Sequence, residues 1–268
     1  MLYLKSVTPI LTNSINIKLK AQNQSYLSFH PQIKYTLTTI LPLNKYALAL
    51  HTTTPELGLA ISNFADHTQS QVWNLGRDLS SHIHQYLIEL IKPRTWADLE
   101  FIAVSQGPGG FTGTRIGIVT ARTLGQQLKI PVFTISTLAA VAWQEHTLHN
   151  HSSFAAEIKN TTPLPQNCQY PIIAVEMPAQ RGQTFGAIYQ PNPDNSGLTA
   201  LLPDTVFTPA AWQETLASWQ TSYQLISATS QLAATVNSIL ELAYLKWRHG
   251  KHPHWSKALP YYGQHPID

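Results

Sequence analysis

The stretch SQGPGGFTGTRIG (Ser105–Gly117) joins an apolar segment, LEFIAVS, to a segment with helical spacing, and it decides the fold class. Four of its glycines fall within seven residues. A glycine loop between a buried strand and a helix presents backbone amides and the positive end of the helix dipole, which favour an anion. Alternatively, the glycines supply positive φ angles and a close approach of helix to strand. The four are Gly107, Gly109, Gly110 and Gly113.

The two standard nucleotide motifs do not fit this loop. A P-loop has lysine directly after its last glycine, whereas here Thr114 and Arg115 follow Gly113. A dinucleotide fingerprint needs glycine at the position of Thr112. What remains is a candidate weak anion contact, and the tight-turn alternative stays open. The residues of this contact are Gly107, Gly109, Gly110 and Thr112.

The segments around the loop alternate as in an α/β fold. YALALHTTT and LGLAIS are apolar runs separated by turn residues, which predicts a hairpin, and SQVWNL offers a third strand. Helices are predicted over Arg77–Ile91 and Thr114–Leu128, and a third begins at TLAAVAWQEH. Because the later strands alternate with helices, they should be parallel and covered on both faces.

The pattern partly restarts after a polar stretch. PIIAVEM, QTFGAIYQ and LTALLPDTVF predict strands, and a helix, a strand and a long amphipathic helix follow. This repeat of element order predicts a duplicated α/β fold. Its predicted parts are a first lobe (46–146), a linker or surface loop (147–169) and a second lobe (170–268), whose last helix is a candidate to pack back on the first lobe.

Composition narrows the class of protein. The first 45 residues hold five lysines and no acid, without clear periodicity, which predicts a disordered basic extension. Charged residues are 12% and the net charge is +3, which does not indicate a strong nucleic-acid binder. No run of about 18 apolar residues occurs, so no membrane contact is expected. A single cysteine excludes a disulfide framework and favours the cytoplasm.

The segment AVSQGPGGFTGTRIGIVTARTLGQQLKIPVFTISTLAAVA (Ala103–Ala142) resembles the signature of the TsaB (YeaZ) family. YALALHTTTPELGLAIS, RGQTFGAIY and ALPYYGQHPI are similar to its other segments, so the resemblance covers 46–268. It implies an actin/Hsp70-like (ASKHA) fold with two lobes of mixed sheet flanked by helices. It also implies a non-catalytic role in making N6-threonylcarbamoyladenosine at position 37 of tRNAs that read ANN codons.

The resemblance further implies partners. These are a TsaD-type transferase subunit and a TsaE-type ATPase, and tRNA would be bound through their complex. ATP or ADP is the only candidate nucleotide, and its expected place is the partner interface. The first two helices would form the docking surface. Its small residues recur every fourth position, which allows close helix approach, although packing on the chain's own sheet is the alternative. The candidate contact residues are Arg77, Ile83, Tyr86, Leu87, Gly113, Arg115, Gly117, Ala121 and Gly125.

Two departures from the family pattern argue against a metal site in this chain. His51 stands where the family commonly keeps an aspartate at the end of the first strand, and Pro178 falls at the second-lobe aspartate. Glu176, two residues earlier, is a poor replacement. Because magnesium prefers hard oxygen ligands, we expect no catalytic residue, no metal site and no certain cofactor.

Other functions remain open alternatives. A weak nucleotide hydrolase or glycoprotease-like peptidase is one, although G-x-S-x-G is absent. A self-associating regulatory protein is another, since isolated family members can homodimerise. The loop Cys168 lacks a paired base and is taken as incidental. Two histidine groups are minor metal candidates: His146, His149 and His151, and His249, His252 and His254.

Overall fold

The computed structural model describes residues 41–157, 172–229 and 231–263, with the side chains of 149–157 left aside. The described part holds two sheets and five α-helices. The strands are β1 (Tyr46–His51), β2 (Glu56–Ser62), β3 (Thr68–Asn74), β4 (Leu99–Gly107), β5 (Val132–Ser136), β6 (Ile172–Pro178), β7 (Thr184–Pro191), β8 (Leu198–Phe207) and β9 (Tyr223–Ser227). The helices are α1 (Leu79–Ile91), α2 (Phe111–Leu128), α3 (Thr137–Glu157), α4 (Pro209–Ser218) and α5 (Val236–Arg248).

The first sheet has the strand order β3-β2-β1-β4-β5. Strands β1, β2 and β3 form an antiparallel meander, because the short turn TTTPE suffices to reverse the chain. Strands β4 and β5 join it in parallel on the other side of β1, each after a helix. Parallel pairing requires such a crossover, so the helical segments before β4 and β5 explain why these two strands are parallel to their neighbours.

The second sheet repeats the first. Its order is β8-β7-β6-β9, with β6, β7 and β8 antiparallel and β9 parallel beside β6. Strands β6 to β9 therefore correspond to β1 to β4 in order and direction. The described part of the second sheet lacks a counterpart of β5. This is the duplication that the element order predicted.

One helix from each half of the chain packs on the sheet of the other half. Helices α1 and α2 cover one face of the first sheet, and α5, the last helix, covers the other face. Helix α3 packs on the second sheet, whose far face is covered by α4. Helices α3 and α5 thus lie between the sheets, where Trp143 Nε1 donates to Glu241 Oε2 at 2.7 Å. Each sheet is completed by a helix from the other half of the chain.

Several element limits differ from those predicted. Helix α1 begins at Leu79 because Gly76–Asp78 form a separate 3-10 turn, and α2 begins at Phe111, before the predicted Thr114. Helix α3 continues to Glu157, so the first part of the predicted linker 147–169 is helical.

The predicted N-terminal extension, residues 1–45, overlaps the described part at its end. Leu41 is buried against the first sheet, and Lys45 Nζ donates to the carbonyl of Ala97 at 2.7 Å. Residues 1–40 and Cys168 lie outside the described residues. Among the described helices, none has the length and apolar character needed to cross a bilayer.

Candidate functional site

The glycine loop is folded against the chain's own hairpin turn. The amide of Gly110 donates to the carbonyl of Thr53 at 2.7 Å, and an added Cβ at Gly109 would lie 2.4 Å from the same oxygen. Gly107 has φ +110 and faces the carbonyl of Tyr261. The tight turn suggested by the spacing is therefore present, and the Gly110 amide is already bonded within the chain.

The small-residue stripe of α2 faces the chain's own first sheet. An added Cβ at Gly113 or Gly117 would lie 2.1 Å from an oxygen of Thr52. At Gly125 it would lie 2.4 Å from Val132, and Ala121 is fully buried. The stripe therefore makes the contact between α2 and the chain beneath it, which is the alternative that the sequence left open to a docking seam.

The outer surface of α1 and α2 forms an apolar groove of about 660 Å³. Ile88 is 48% exposed and Val119 is 61% exposed, and both line it. Buried Ile83 and Leu87 form its floor from α1, and Arg115 lines it from α2, with its guanidinium 4.7 Å from the ring centre of Phe111. We call this surface the α1–α2 groove; its further lining includes Ser80, His84, Trp96, Ile116, Thr120, Thr123 and Leu124.

The groove contains three of the nine predicted contact residues: Ile83, Leu87 and Arg115. Tyr86 instead stacks on Trp73 of β3, with ring centres 4.4 Å apart, and Arg77 is exposed before α1. Sequence reasoning missed Ile88 and Val119. The available signal was an apolar side chain outside the buried stripe of each helix, at a position where a surface helix normally carries a polar one.

A second opening lies between the two sheets. This interlobe cleft of about 620 Å³ is bordered by the hairpin turn, the glycine loop, the end of β6 and the chain near Tyr262. Gly109 and Gly110 line it, whereas Gly107 and Thr112 do not. The rings of Phe111 and Tyr262 contact each other in it at a tilt of 34°, with centres 4.5 Å apart, and Met177 and Phe185 add apolar surface.

His51 ends β1 in a fully buried position. Neither ring nitrogen has a hydrogen-bond partner, and burial lowers the pKa of His51 from 6.5 to about 3. The side chain is therefore neutral at physiological pH and does not line the interlobe cleft. It cannot take the place of an aspartate in holding a cation.

The second family position is equally unsuited to a metal. Pro178 lines the interlobe cleft without offering an oxygen from its side chain. The Glu176 carboxylate accepts hydrogen bonds from Trp212 Nε1 and from Ser227 Oγ, each at 2.7 Å, so both of its oxygens are engaged. Among the described residues, no three His, Cys, Asp or Glu side chains converge on a metal geometry, and His249, His252 and His254 do not either.

Comparisons with known proteins agree with this architecture. Residues 77–155, under a third of the chain, match the family model described as "TsaD: tRNA N6-adenosine threonylcarbamoyltransferase". A tRNA threonylcarbamoyladenosine biosynthesis protein TsaB from Bacillus subtilis is 32% identical over 119 residues, which is 44% of this chain and 42% of that protein. TsaB from Buchnera aphidicola is 49% identical over 55 residues, 19% of this chain and 26% of that protein.

A solved structure extends the likeness to the whole fold. The Pseudomonas aeruginosa protein described as uncharacterized, "with similarity to peptidase YEAZ", is 19% identical, covers 82% of this chain and 100% of its own, and has a TM-score of 0.61. This match confirms the predicted duplicated α/β fold, with two lobes of mixed sheet flanked by helices. The chain spans less than half the length of the curated relatives it matches.

Proposed function

We propose that the chain is a cytoplasmic, non-catalytic subunit for N6-threonylcarbamoyladenosine formation on ANN-decoding tRNAs. Its similarity to TsaB (YeaZ) proteins supports this proposal. Its role is to bind and activate a TsaD-type transferase subunit. A TsaE-type ATPase joins the pair, and the interface of the subunits is the place for ATP or ADP.

The observation that carries this proposal is the α1–α2 groove. A helix that covers a sheet normally carries polar side chains on the face that points to solvent. Here Ile88 and Val119 project from the outer faces of two adjacent helices, above buried Ile83 and Leu87. Exposed apolar surface gathered in one groove marks a protein interaction site, and an amphipathic helix pair fits between two helices.

The interlobe cleft supports a non-catalytic role. The Gly110 amide at its edge already donates to the carbonyl of Thr53 at 2.7 Å. His51 and Pro178 offer no anionic ligand for a divalent cation. The chemistry of the modification is therefore assigned to the partner, and this chain contributes the docking surface.

Binding to the cognate TsaD-type subunit tests the proposal. Val119→Asp places a carboxylate in the groove, and we expect binding at least about 30-fold weaker, because a central interface residue is worth about 2 kcal/mol or more. Val72→Asp is the matched control, since Val72 is 41% exposed on β3, outside the groove. tRNA modification by the reconstituted system should fall with binding. Equal affinity of both variants would refute the groove as the docking surface.

Self-association is a distinct outcome of the same experiment. If the free chain dimerises and Val119→Asp abolishes only the dimer while the transferase subunit still binds, the groove serves a second copy of this chain. In that case the regulatory alternative replaces the scaffold function. Sedimentation of the free chain and of the mixture separates the two results.

A further inference from the structure

The C-terminal segment carries the most concentrated positive charge of the described chain. From Leu242 to Ile267 there is no Asp or Glu, although the whole chain has a net charge of only +3. Four basic side chains and three histidines fall within twelve residues. They are Lys246, Arg248, Lys251 and Lys257, with His249, His252 and His254.

Five of these seven side chains line two adjoining hollows: Lys246, Lys251, His252, His254 and Lys257. Lys246, Lys251 and Lys257 line one cleft of about 470 Å³, together with His252 and the end of the first sheet at β5. No Asp or Glu is found among the described residues that line it. An adjoining hollow of about 410 Å³ continues the same surface past Lys129. We call the two together the basic cleft.

Helix termini do not account for this charge. Lysine and arginine are common in the last turn of a helix, where they interact with free carbonyls. Here the final carbonyls of α5 are satisfied by the backbone: the amides of His249, Gly250 and Lys251 donate to Leu245, Trp247 and Lys246 at 3.2, 2.9 and 3.1 Å. In the part of the chain that the structure describes, no carboxylate pairs with the three lysines of the cleft.

The segment that presents the charges is held in place. The amide of Val132 donates to the carbonyl of Pro253 at 3.3 Å, which ties the loop to β5. The imidazole of His252 stands edge-on to Trp247, with ring centres 5.9 Å apart, and Trp247 is buried in the first core. His254 caps the following turn by accepting from the amide of Ser256. The backbone that carries the lysines is therefore held in place, so binding a polyanion does not have to order that backbone.

We propose that the basic cleft binds phosphate groups, either those of an RNA backbone or those of a free nucleotide. Several ammonium groups around one concave surface, without acids, provide the charge-assisted contacts that phosphate oxygens accept. The inference rests on charge and geometry alone, so it stands whether or not the α1–α2 groove binds a transferase subunit.

The test compares two triple variants of the full chain with equal net charge. In the first, Lys246, Lys251 and Lys257 are each changed to Gln. In the control, the exposed residues Arg77, Lys92 and Arg181, which lie outside the cleft, are changed to Gln. Binding of a fluorescently labelled ANN-decoding tRNA is followed by anisotropy over a range of salt, and binding of ATP and of inorganic pyrophosphate is measured by calorimetry.

For an RNA ligand, we expect the cleft variant to bind tRNA at least about tenfold more weakly. The slope of log affinity against log salt should fall by about 2 to 3, as expected when three phosphate contacts are lost. The control should bind like the parent chain. If ATP or pyrophosphate binding depends on the cleft and tRNA binding does not, the phosphates belong to a small ligand.

Two results would overturn the proposal. One is equal weakening in both triple variants, which would assign the effect to net charge. The other is unchanged binding of tRNA, ATP and pyrophosphate in the cleft variant. Binding of the TsaD-type subunit, measured on the cleft variant, should be unchanged, so failure here is distinguishable from failure of the proposed docking function.

Discussion

The Gly110 amide and the Thr53 carbonyl are joined by a hydrogen bond of 2.7 Å that closes the glycine loop onto the hairpin turn of the first sheet. Loops of this composition bind phosphate when their amides point into open space. Here the Gly110 amide, at the edge of the interlobe cleft, is bonded to the hairpin turn instead. At this amide, the glycine motif therefore holds the loop against the hairpin turn and does not bind an anion.

Nucleotide binding in the interlobe cleft should consequently be weak. We expect Mg-ATP to bind the isolated chain with a dissociation constant no tighter than about 1 mM, which corresponds to only about 4 kcal/mol. Hydrolysis should be negligible. Calorimetry and a phosphate-release assay measure both, in parent chain and in the Lys246, Lys251 and Lys257 variant, so that binding at the basic cleft is recognised. Micromolar binding that survives in this variant and is lost on changing Pro178 to Arg would place an active nucleotide site in the interlobe cleft.

Gly117→Ala should destabilise the isolated chain. In an exposed helix this change gains up to about 1 kcal/mol, but here the new methyl would lie 2.1 Å from buried Thr52 Oγ1. Overpacking costs about 1 to 3 kcal/mol, so we expect a net loss of about 1 to 2 kcal/mol. Gly110→Ala, whose methyl would meet only Thr53 at 3.4 Å, is the control. Denaturant unfolding measures both, and a Gly117→Ala chain as stable as the parent would contradict the assigned orientation of α2.

His51 should make the fold sensitive to acid. Its pKa is about 3 in the folded chain and 6.5 in the unfolded chain, so below pH 6.5 the unfolded chain binds the proton first and stability falls. Between pH 7 and pH 5 this group alone removes about 2 kcal/mol of unfolding free energy. His51→Leu should lack that loss, whereas the exposed control His84→Leu should retain it. Unfolding curves at the two pH values measure the change in unfolding free energy of each chain. The same pH dependence in all three chains would show that His51 is not responsible.

The start of the folded part can be located by two truncations. A chain beginning at Leu41 keeps the buried leucine and the hydrogen bond from Lys45 to Ala97, and a chain beginning at Tyr46 loses both. Burial of one leucine contributes about 1.5 to 3 kcal/mol, so the shorter chain should be less stable by about that amount. Thermal melts of the two chains measure the difference. Identical melting temperatures would show that residues 41–45 contribute nothing.

The two halves should not fold separately. A fragment of residues 41–157 lacks α5, which covers one face of the first sheet, and its own α3 would lose the second sheet. Circular dichroism and amide exchange should show a loosely packed fragment. Mixing it with residues 172–268 should restore native protection. Cooperative unfolding of the first fragment by itself would mean that the crossed helices are dispensable.

The order and type of elements were predictable because hydrophobic periodicity and turn residues are local signals. The packing of the amphipathic helix α5 on the first sheet was a candidate from sequence alone. The packing of α3 on the second sheet was harder to foresee, since the apolar residues of α3 lie on more than one side. The role of the glycine stripe was ambiguous for a related reason. Small residues allow close approach to any surface, and only the position of Thr52 beneath Gly117 shows that the surface is the chain's own sheet. The groove residues Ile88 and Val119 became recognisable only from their exposure.

The crossed helices also have a consequence for synthesis on the ribosome. Strand β1 emerges about 190 residues before α5, and at about 5 to 20 residues per second this interval lasts on the order of 10 to 40 s. During that time Ala47 and Ala49, and Phe101 once it has been added, lack the helix that covers them in the finished fold. The nascent first sheet therefore presents a hydrophobic face to solvent until α5 has been synthesised, and such surface is what chaperones of emerging chains bind.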